Sequence, residues 1–378
     1  MKTFRLFRSL LVIVLALLLC FTAACTPAPY TAASALTDTV SDPWGLNPIQ
    51  PKDYYGRNQL SGKELKAYKK IAEGVISTVE TVDLSDCKLS VDRFKKVLNY
   101  YRADYPQHFW LEADYVLQAS KGVVLSYQPK YSMHPLFVEM AKDTFEETID
   151  SLLPILAEFE TDYEKEKYIH DYLSDNTEYS SDGNHAYTAY GALVQKKAVC
   201  EGYSKAFQYL CYRAGIQCLL VTGTSVNPMV KNSDPIAHSW NKVKLDGKYY
   251  NVDLTWDDQS AHVFYSYFNT TDKMILEDHT FSENNYPLPK SNSKDKWYFS
   301  LEDCIFEEYS VESIADWLKQ NDNYARVYIP DDPEAFLAWY KRNIESIASK
   351  LGAGKWYVYS YGQLGNEFVL ALGDGTVD

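Results

Sequence analysis

The sequence predicts an α+β protein whose central part is a long helix packed on an antiparallel sheet. The helix is indicated by residues 199–215, where apolar side chains recur at intervals of three and four and form one stripe. The sheet is indicated by two alternating segments, 236–245 and 248–254, which flank Asp246-Gly247, a dipeptide typical of a two-residue hairpin turn. Alternating strand and helix patterns after residue 296 indicate a small C-terminal α+β domain.

The first residues are typical of an export signal. Three basic residues within the first eight positions precede an apolar run of 12 residues, Leu10–Phe21, whereas a spanning helix needs roughly 17–25. The run ends in Thr22-Ala23-Ala24-Cys25, which resembles the lipobox of bacterial lipoproteins except that Thr22 replaces the usual aliphatic residue. We expect residues 1–24 to be a signal peptide and Cys25 to carry a lipid that anchors the protein to the outer face of the bacterial cytoplasmic membrane. The alternatives are cleavage after Ala24 without lipidation and a retained helical anchor.

Charge and cysteine content narrow the class of function. The chain has 378 residues, enough for two or three domains, and a formal charge of −14. An acidic surface repels phosphates, which argues against a nucleic-acid partner. Outside the signal and the lipid site, the cysteines form no CxxC pair and no regular spacing, so neither a disulfide framework nor a zinc site is predicted. They are Cys87, Cys200, Cys211, Cys218 and Cys304.

The remaining elements follow in order along the chain. Residues 25–60, with the lipid site at their start, have no period and are predicted to be a tether. An N-terminal accessory region, 61–160, is predicted to contain helices over 62–79, 90–101 and 135–158 and a strand hairpin over 109–128. Ser90 is the expected N-cap of the second helix. The central region, 161–288, is predicted to open with a helix over 162–174 behind the capping box Thr161-Asp162-Tyr163-Glu164.

The C-terminal domain, 296–378, follows a Pro- and Ser-rich linker over 287–293. Its predicted elements are a strand over 297–305, a helix over 311–320, a strand over 324–330, a helix over 332–351 and two strands over 355–361 and 366–372. Nothing in its sequence indicates catalysis.

Cys200 lies at the amino end of the predicted helix, on the same face as the apolar stripe. The positive end of the helix dipole stabilises a thiolate there, and free backbone N–H groups can bind an oxyanion. Gly202 keeps this end uncrowded, and Gly215 suits the position after the last turn. The competing interpretation, a small apolar core residue, applies better to Cys211 and Cys218, which lie deep in the helix and in an apolar strand.

The hairpin is predicted to present a base together with the group that orients it. The two-residue turn pairs Leu245 with Lys248 and continues to Trp240 with Asp253. His238 and Asp253 then lie on one face as diagonal neighbours, within reach of an imidazole–carboxylate hydrogen bond. Nucleophile, histidine and acid form the arrangement of cysteine and serine acyl-transfer enzymes. The alternative is a satisfied His–Asp pair at a sheet edge.

Four segments in order resemble the transglutaminase-like superfamily, particularly its bacterial extracytoplasmic members: Ala189–Val194, Ala198–Tyr203, Ala237–Asn241 and Tyr250–Asp257. The resemblance implies a papain-like core, a helix that carries the nucleophile on an antiparallel sheet that carries the histidine and the aspartate. Cys200, His238 and Asp253 match these three positions.

The same resemblance implies two further sets of residues. The superfamily uses a side-chain donor upstream of the cysteine in its oxyanion hole, and Tyr190 is the candidate; the alternative is a buried tyrosine in a turn. Tyr267–Asn269 and Asp278-His279 resemble a later segment of the superfamily, for which we expect a structural role.

These observations predict cysteine-dependent acyl transfer or amide hydrolysis on extracellular peptides or proteins, including cell-wall peptides. A peptidase or amidase is favoured, a protein cross-linking transglutaminase is the first alternative, and a non-catalytic surface scaffold that retains the fold is the second. We expect no cofactor and no catalytic metal, because the chain has no HExxH motif and His170, His185 and His262 show no ligand spacing.

Overall fold

The computed structural model describes residues 40–227, 233–259, 262–352 and 357–374. The predicted signal peptide, the lipid site at Cys25 and residues 25–39 of the predicted tether lie outside these residues. Residues 40–60 are described, and Leu46, Tyr54 and Leu60 are buried there in the same core as the central region. This part of the predicted tether therefore packs on the core instead of extending freely, and the backbone N–H of Ile49 donates to Tyr212 O. Among the helices that are described, none combines the length and the apolar character needed to cross a bilayer.

The N-terminal region packs three helices with a strand hairpin. The helices are α1 (Gly62–Ile76), α2 (Val91–Asp104) and α3 (Pro135–Asp150), and the strands are β1 (Leu111–Ser120) and β2 (Val123–Tyr131). The Ser90 side chain caps α2 as predicted, by accepting a hydrogen bond from the backbone N–H of Arg93. The single helix predicted over 135–158 is instead two, because Pro154 has no N–H to continue the ladder and starts a short helix, Leu153–Glu158.

The central region contains the predicted helix on a sheet. Helices α4 (Asp162–Asn176) and α5 (Cys200–Arg213) accompany strands β3 (Cys218–Ser225), β4 (Ile236–Leu245), β5 (Lys248–Val252) and β6 (His279–Phe281), which form one antiparallel sheet in the order β6-β3-β4-β5. The capping box of α4 is present. Helix α5 is followed by Gly215 at φ +83°, and the N–H of Ile216 donates to Cys211 O, as expected for a glycine-terminated helix.

The register of the hairpin is the predicted one, but the strand is shorter. Leu245 pairs with Lys248, as the two-residue turn requires. The ladder ends at Asn241 and Val252, so the predicted pairing of Trp240 with Asp253 is wrong. The reason is local, because the Asp253 carboxylate accepts backbone N–H groups ahead of it and starts a helical turn, Leu254–Asp257.

The C-terminal domain contains α6 (Val311–Gln320), β7 (Tyr324–Tyr328), α7 (Pro333–Lys350), β8 (Tyr357–Leu364) and β9 (Glu367–Asp374), with strand order β7-β9-β8. These elements match the prediction closely. The strand predicted over 297–305 is wrong, because its aromatic residues form a short helix, Tyr298–Leu301, and pack inward. There the ring of Tyr298 stacks on that of Tyr265, with centroids 4.0 Å apart.

A buried ion pair joins the C-terminal domain to the central region. Glu367, on β9, is fully buried and accepts the backbone N–H of Tyr265 and the hydroxyl of Ser266, at 2.8 and 2.9 Å. Arg326, on β7, donates to Glu367 and to the carbonyl oxygen of Val263. The domain therefore holds the segment that follows the Leu254–Asp257 turn.

The hydrophobic residues of the N-terminal and central regions share one core, and α6, α7 and the sheet of the C-terminal domain enclose a second. The predicted domain boundaries remain predictions, since the described residues form one compact unit.

Candidate active site

Cys200 is the first residue of α5, and its side chain is partly exposed. The other cysteines that the structure describes, Cys87, Cys211, Cys218 and Cys304, are free and buried. The first turn of α5 approaches the preceding loop closely at Gly202, where a Cβ atom would lie 2.4 Å from the carbonyl oxygen of Ala186. Glycine is therefore required for the helix end to sit where it does.

His238 lies on β4, beyond the last pair that β4 makes with β5. Its Nε2 lies 2.6 Å from Asp253 Oδ2, and the side chain of Cys200 also interacts with the imidazole. Burial opposes a charge on the imidazole, but the charge and hydrogen bond of Asp253, together with those of Cys200, outweigh it and raise the pKa of His238 to about 10. Since Nε2 is bound to Asp253, Nδ1 is the nitrogen that remains for the thiol.

Asp253 is buried, and hydrogen bonds fix both of its carboxylate oxygens. Oδ1 accepts the backbone N–H groups of Thr255 and Trp256, at 3.0 and 3.3 Å. Oδ2 accepts His238 and, at 2.9 Å, Nε2 of a second histidine, His279. Burial favours the neutral acid, but the two histidines hold the pKa of Asp253 well below its usual value.

His279 and its neighbour Asp278 extend this network. Nδ1 of His279 lies 2.5 Å from Asp278 Oδ1, and the other oxygen of Asp278 accepts the hydroxyl of Tyr267. The side chain of His279 is fully buried. Sequence reasoning assigned this segment a structural role; no local pattern indicated that it would reach Asp253, 26 positions earlier.

Another buried histidine, His170, supports the turn that Asp253 opens. Nε2 of His170, on α4, lies 3.2 Å from Asp257 Oδ2, and Nδ1 lies 3.1 Å from Asp171. Burial opposes its charge, but the two carboxylates raise the pKa of His170 to about 9. The backbone N–H of Tyr267 donates to Asp257, and Tyr267 O accepts the N–H of Asp253. Sequence reasoning considered His170 only as a metal ligand and missed this contact.

Residues 153–254 match the family model described as the transglutaminase-like superfamily. The chain contains a transglutaminase-like domain. It is 28% identical over 168 residues to the kyphoscoliosis peptidase of Homo sapiens, and this alignment covers 40% of this chain and 25% of the relative. It is 29% identical over 154 residues to the kyphoscoliosis peptidase of Mus musculus, and this alignment covers 36% of this chain and 23% of the relative. The chain thus spans about a quarter of the length of these relatives.

Among solved structures, a candidate cysteine protease from Cytophaga hutchinsonii matches 44% of this chain and 65% of its own, at 16% identity and a TM-score of 0.27. A TM-score this low adds nothing to the assignment.

Two tyrosines of the transglutaminase-like domain concern the position of the oxyanion. Tyr190, the oxyanion candidate, stacks on Phe109 with ring centroids 4.5 Å apart, and its role there stays a prediction. Tyr179 lies in a short strand whose partner, Ala198, is two residues before Cys200. The Tyr179 side chain is 56% exposed. Its partial burial and the neighbouring Cys200 and Asp253 raise its pKa, while a hydrogen bond from the Cys200 backbone N–H lowers it. Tyr179 therefore reaches the helix end, which sequence reasoning missed.

A cleft of about 760 Å³ reaches the first turn of α5, although Cys200, His238 and Asp253 are not among its lining residues. Its lining includes Glu201, the residue after Cys200, and Thr222, which neighbours the β3 partner of His238. The end of α2, the loop between α2 and β1, the start of β1, the loop around Tyr187 and residues 284–286 also line it. The charged side chains of the lining balance in sign: Arg102, Lys205, Glu112 and Glu201.

One group in the described part of the chain has ligand atoms close enough for a metal ion, namely His238, Asp253 and His279, within 4.8 Å of one another. Each of these atoms already has a hydrogen-bond partner inside the group. The cluster is thus satisfied as a proton network, and the residues give no separate reason for a metal.

Proposed function

We propose that the protein is a cysteine-dependent hydrolase of amide bonds in extracellular peptides or proteins, with Cys200 as nucleophile, His238 as general base and acid, and Asp253 as the group that orients His238. The observation that carries the proposal is the hydrogen bond from His238 Nε2 to Asp253. It leaves Nδ1 as the nitrogen available to a thiol at the positive end of α5, which in the proposed mechanism favours a thiolate–imidazolium pair.

In the proposed reaction the Cys200 sulfur attacks the carbonyl carbon, and the carbonyl oxygen becomes an oxyanion. The backbone N–H of Cys200 donates to this oxyanion, in the place where Tyr179 accepts that N–H in the resting site. The tetrahedral intermediate collapses as the C–N bond breaks, and the His238 imidazolium gives its proton to the leaving amine. Water, deprotonated by His238, then hydrolyses the thioester and regenerates the thiol.

Two observations favour peptides as substrates and water as acceptor. The cleft beside Glu201 is large enough for several residues of an extended chain and has no net charge among its charged lining side chains. The relatives from human and mouse are named peptidases. If an amine replaces water, the same thioester gives cross-linking, and incorporation of a labelled primary amine into a glutamine-bearing protein distinguishes the two.

The site itself is tested by alkylation of the intact protein with iodoacetamide at pH 6, followed by mass spectrometry of each cysteine. If the proposal is right, Cys200 should react at least tenfold faster than an ordinary thiol, because a thiol beside His238 at the amino end of a helix is activated as a nucleophile. The four buried cysteines are controls within the same molecule, and His238→Ala should abolish the excess rate. An ordinary rate at Cys200 would support the non-catalytic scaffold instead.

We further propose that the protein works at the outer face of the bacterial membrane, attached through Cys25. A Cys25→Ser variant should leave the membrane fraction; continued sedimentation with membranes would contradict the lipid anchor.

A further inference from the structure

Asp253 is shared by two histidines, and this determines where their protons are. Its Oδ2 lies 2.6 Å from Nε2 of His238 and 2.9 Å from Nε2 of His279. An ionised carboxylate only accepts hydrogen bonds, so both nitrogens carry hydrogen. His238 needs this tautomer to accept a proton from a thiol at Nδ1. His279 makes the same contact but is fully buried.

The other nitrogen of His279 faces a second carboxylate. Nδ1 lies 2.5 Å from Asp278 Oδ1, while Asp278 Oδ2 accepts the hydroxyl of Tyr267. With Asp278 ionised, Nδ1 must also donate, so His279 carries hydrogen on both nitrogens and is a cation. Its ring lies 5.0 Å from the ring of Trp240, an apolar surrounding in which an unpaired cation would be costly.

We propose that His279 is a positioning residue, a permanent imidazolium that holds the Asp253 carboxylate against His238 and offsets part of its charge. The proposal rests on the proposed function of the Cys200 site. The titratable groups that face His279 within the described residues are Asp278 next to it, Asp253 from the turn, His238 from β4 and Tyr267 from the segment after the turn.

The consequence is a row of alternating charges from Cys200 to Asp278. The rings of His238 and His279 are 5.4 Å apart, so the positive charge of His279 disfavours a second proton on His238 and stabilises the nearby thiolate. Its removal should move the pH at which the Cys200 thiolate forms upward by about one unit. On the rising part of the pH profile, alkylation of Cys200 should therefore be about tenfold slower at a given pH.

The test is the pH profile of Cys200 alkylation by iodoacetamide between pH 3 and 9. His279→Gln keeps an N–H donor for Asp253 and removes the charge, so we expect the midpoint to rise by about one pH unit. Asp278→Asn leaves both histidines in place, weakens the cation and should shift the midpoint in the same direction. Thr280→Ala is the matched control, since Thr280 neighbours His279 but bonds Thr224 on an exposed surface, and it should not shift the midpoint.

The outcomes separate this inference from the proposed function. Fast alkylation of wild-type Cys200 with unshifted midpoints in both variants overturns the role of His279 and leaves the function intact. An ordinary thiol profile in the wild type overturns the function itself. If His279→Gln does not fold, the ¹⁵N shifts of His279 in the wild type decide, because two protonated nitrogens at pH 8 support the imidazolium and one bare nitrogen refutes it.

Discussion

Replacement of Asp253 by asparagine tests how much of the chemistry depends on one carboxylate. Asparagine can still accept the backbone N–H groups of Thr255 and Trp256 through its oxygen, so the turn should persist. What it loses is the charge beside His238. The pKa of His238 rises from 6.5 to about 10 in the folded protein although burial opposes it, and Asp253 is the largest of the contributions that raise it.

A shift of this size corresponds to about 5 kcal/mol of preference for the imidazolium, at roughly 1.4 kcal/mol per pH unit. Without Asp253, burial dominates and His238 should be neutral at pH 8. The thiolate–imidazolium pair is then lost, and the rate of amide hydrolysis at pH 8 should fall by about 10³-fold or more.

The assay is the pH dependence of kcat/KM for amide hydrolysis, together with Cys200 alkylation, which needs no substrate. In the wild type the alkaline limb should lie near pH 10, where the imidazolium loses its proton. In Asp253→Asn it should move below about pH 7. Asp258→Asn is the control, since this nearby carboxylate bonds Tyr203 rather than His238. An alkaline limb that stays near pH 10 in Asp253→Asn would refute the reasoning.

Two further predictions concern residues outside the reacting groups. Gly202→Ala should lower the free energy of unfolding by about 1–3 kcal/mol, because the added Cβ would meet the Ala186 carbonyl oxygen at 2.4 Å. The clash should also displace the end of α5 and reduce the rate of Cys200 alkylation. Chemical denaturation and alkylation measure the two effects, and wild-type values for both would contradict this prediction. Glu166→Gln should raise the melting temperature at pH 8 but not at pH 4. The fully buried Glu166 has a pKa raised to about 8 by burial, so folding is opposed progressively as pH rises from 4.5 to 8; an equal gain at both pH values would be inconsistent with this explanation.

The parts of the site that sequence predicts are those governed by local rules. The two-residue turn at Asp246-Gly247 determines the register of β4 and β5, and the stripe along α5 together with Gly215 determines where that helix ends. Both rules act within a few residues, and no strong alternative local interaction competes with them. The positions of Cys200 and His238 follow from them.

The parts of the site that were not predicted depend on competition between two local structures or on contacts between residues distant in sequence. Asp253 was assigned to a strand, but a carboxylate ahead of free N–H groups favours a cap over another ladder pair. His279 and His170 reach the site from β6 and α4. Each has an acidic neighbour in sequence, but no local pattern indicates its distant partner, Asp253 for His279 and Asp257 for His170. Tyr179 follows a helix by three positions and has no alternation to mark its strand.

The Glu367–Arg326 pair has a consequence for how this protein can be divided. Through Tyr265 and Ser266 it holds the segment whose next residue, Tyr267, accepts the backbone N–H of Asp253. A shortened version that ends before the C-terminal domain, in the linker over 287–293, would leave that segment without its buried anchor. Smaller or chimeric versions of this protein should therefore retain the C-terminal domain together with the triad. If another domain replaces it, that domain must supply a buried acid equivalent to Glu367.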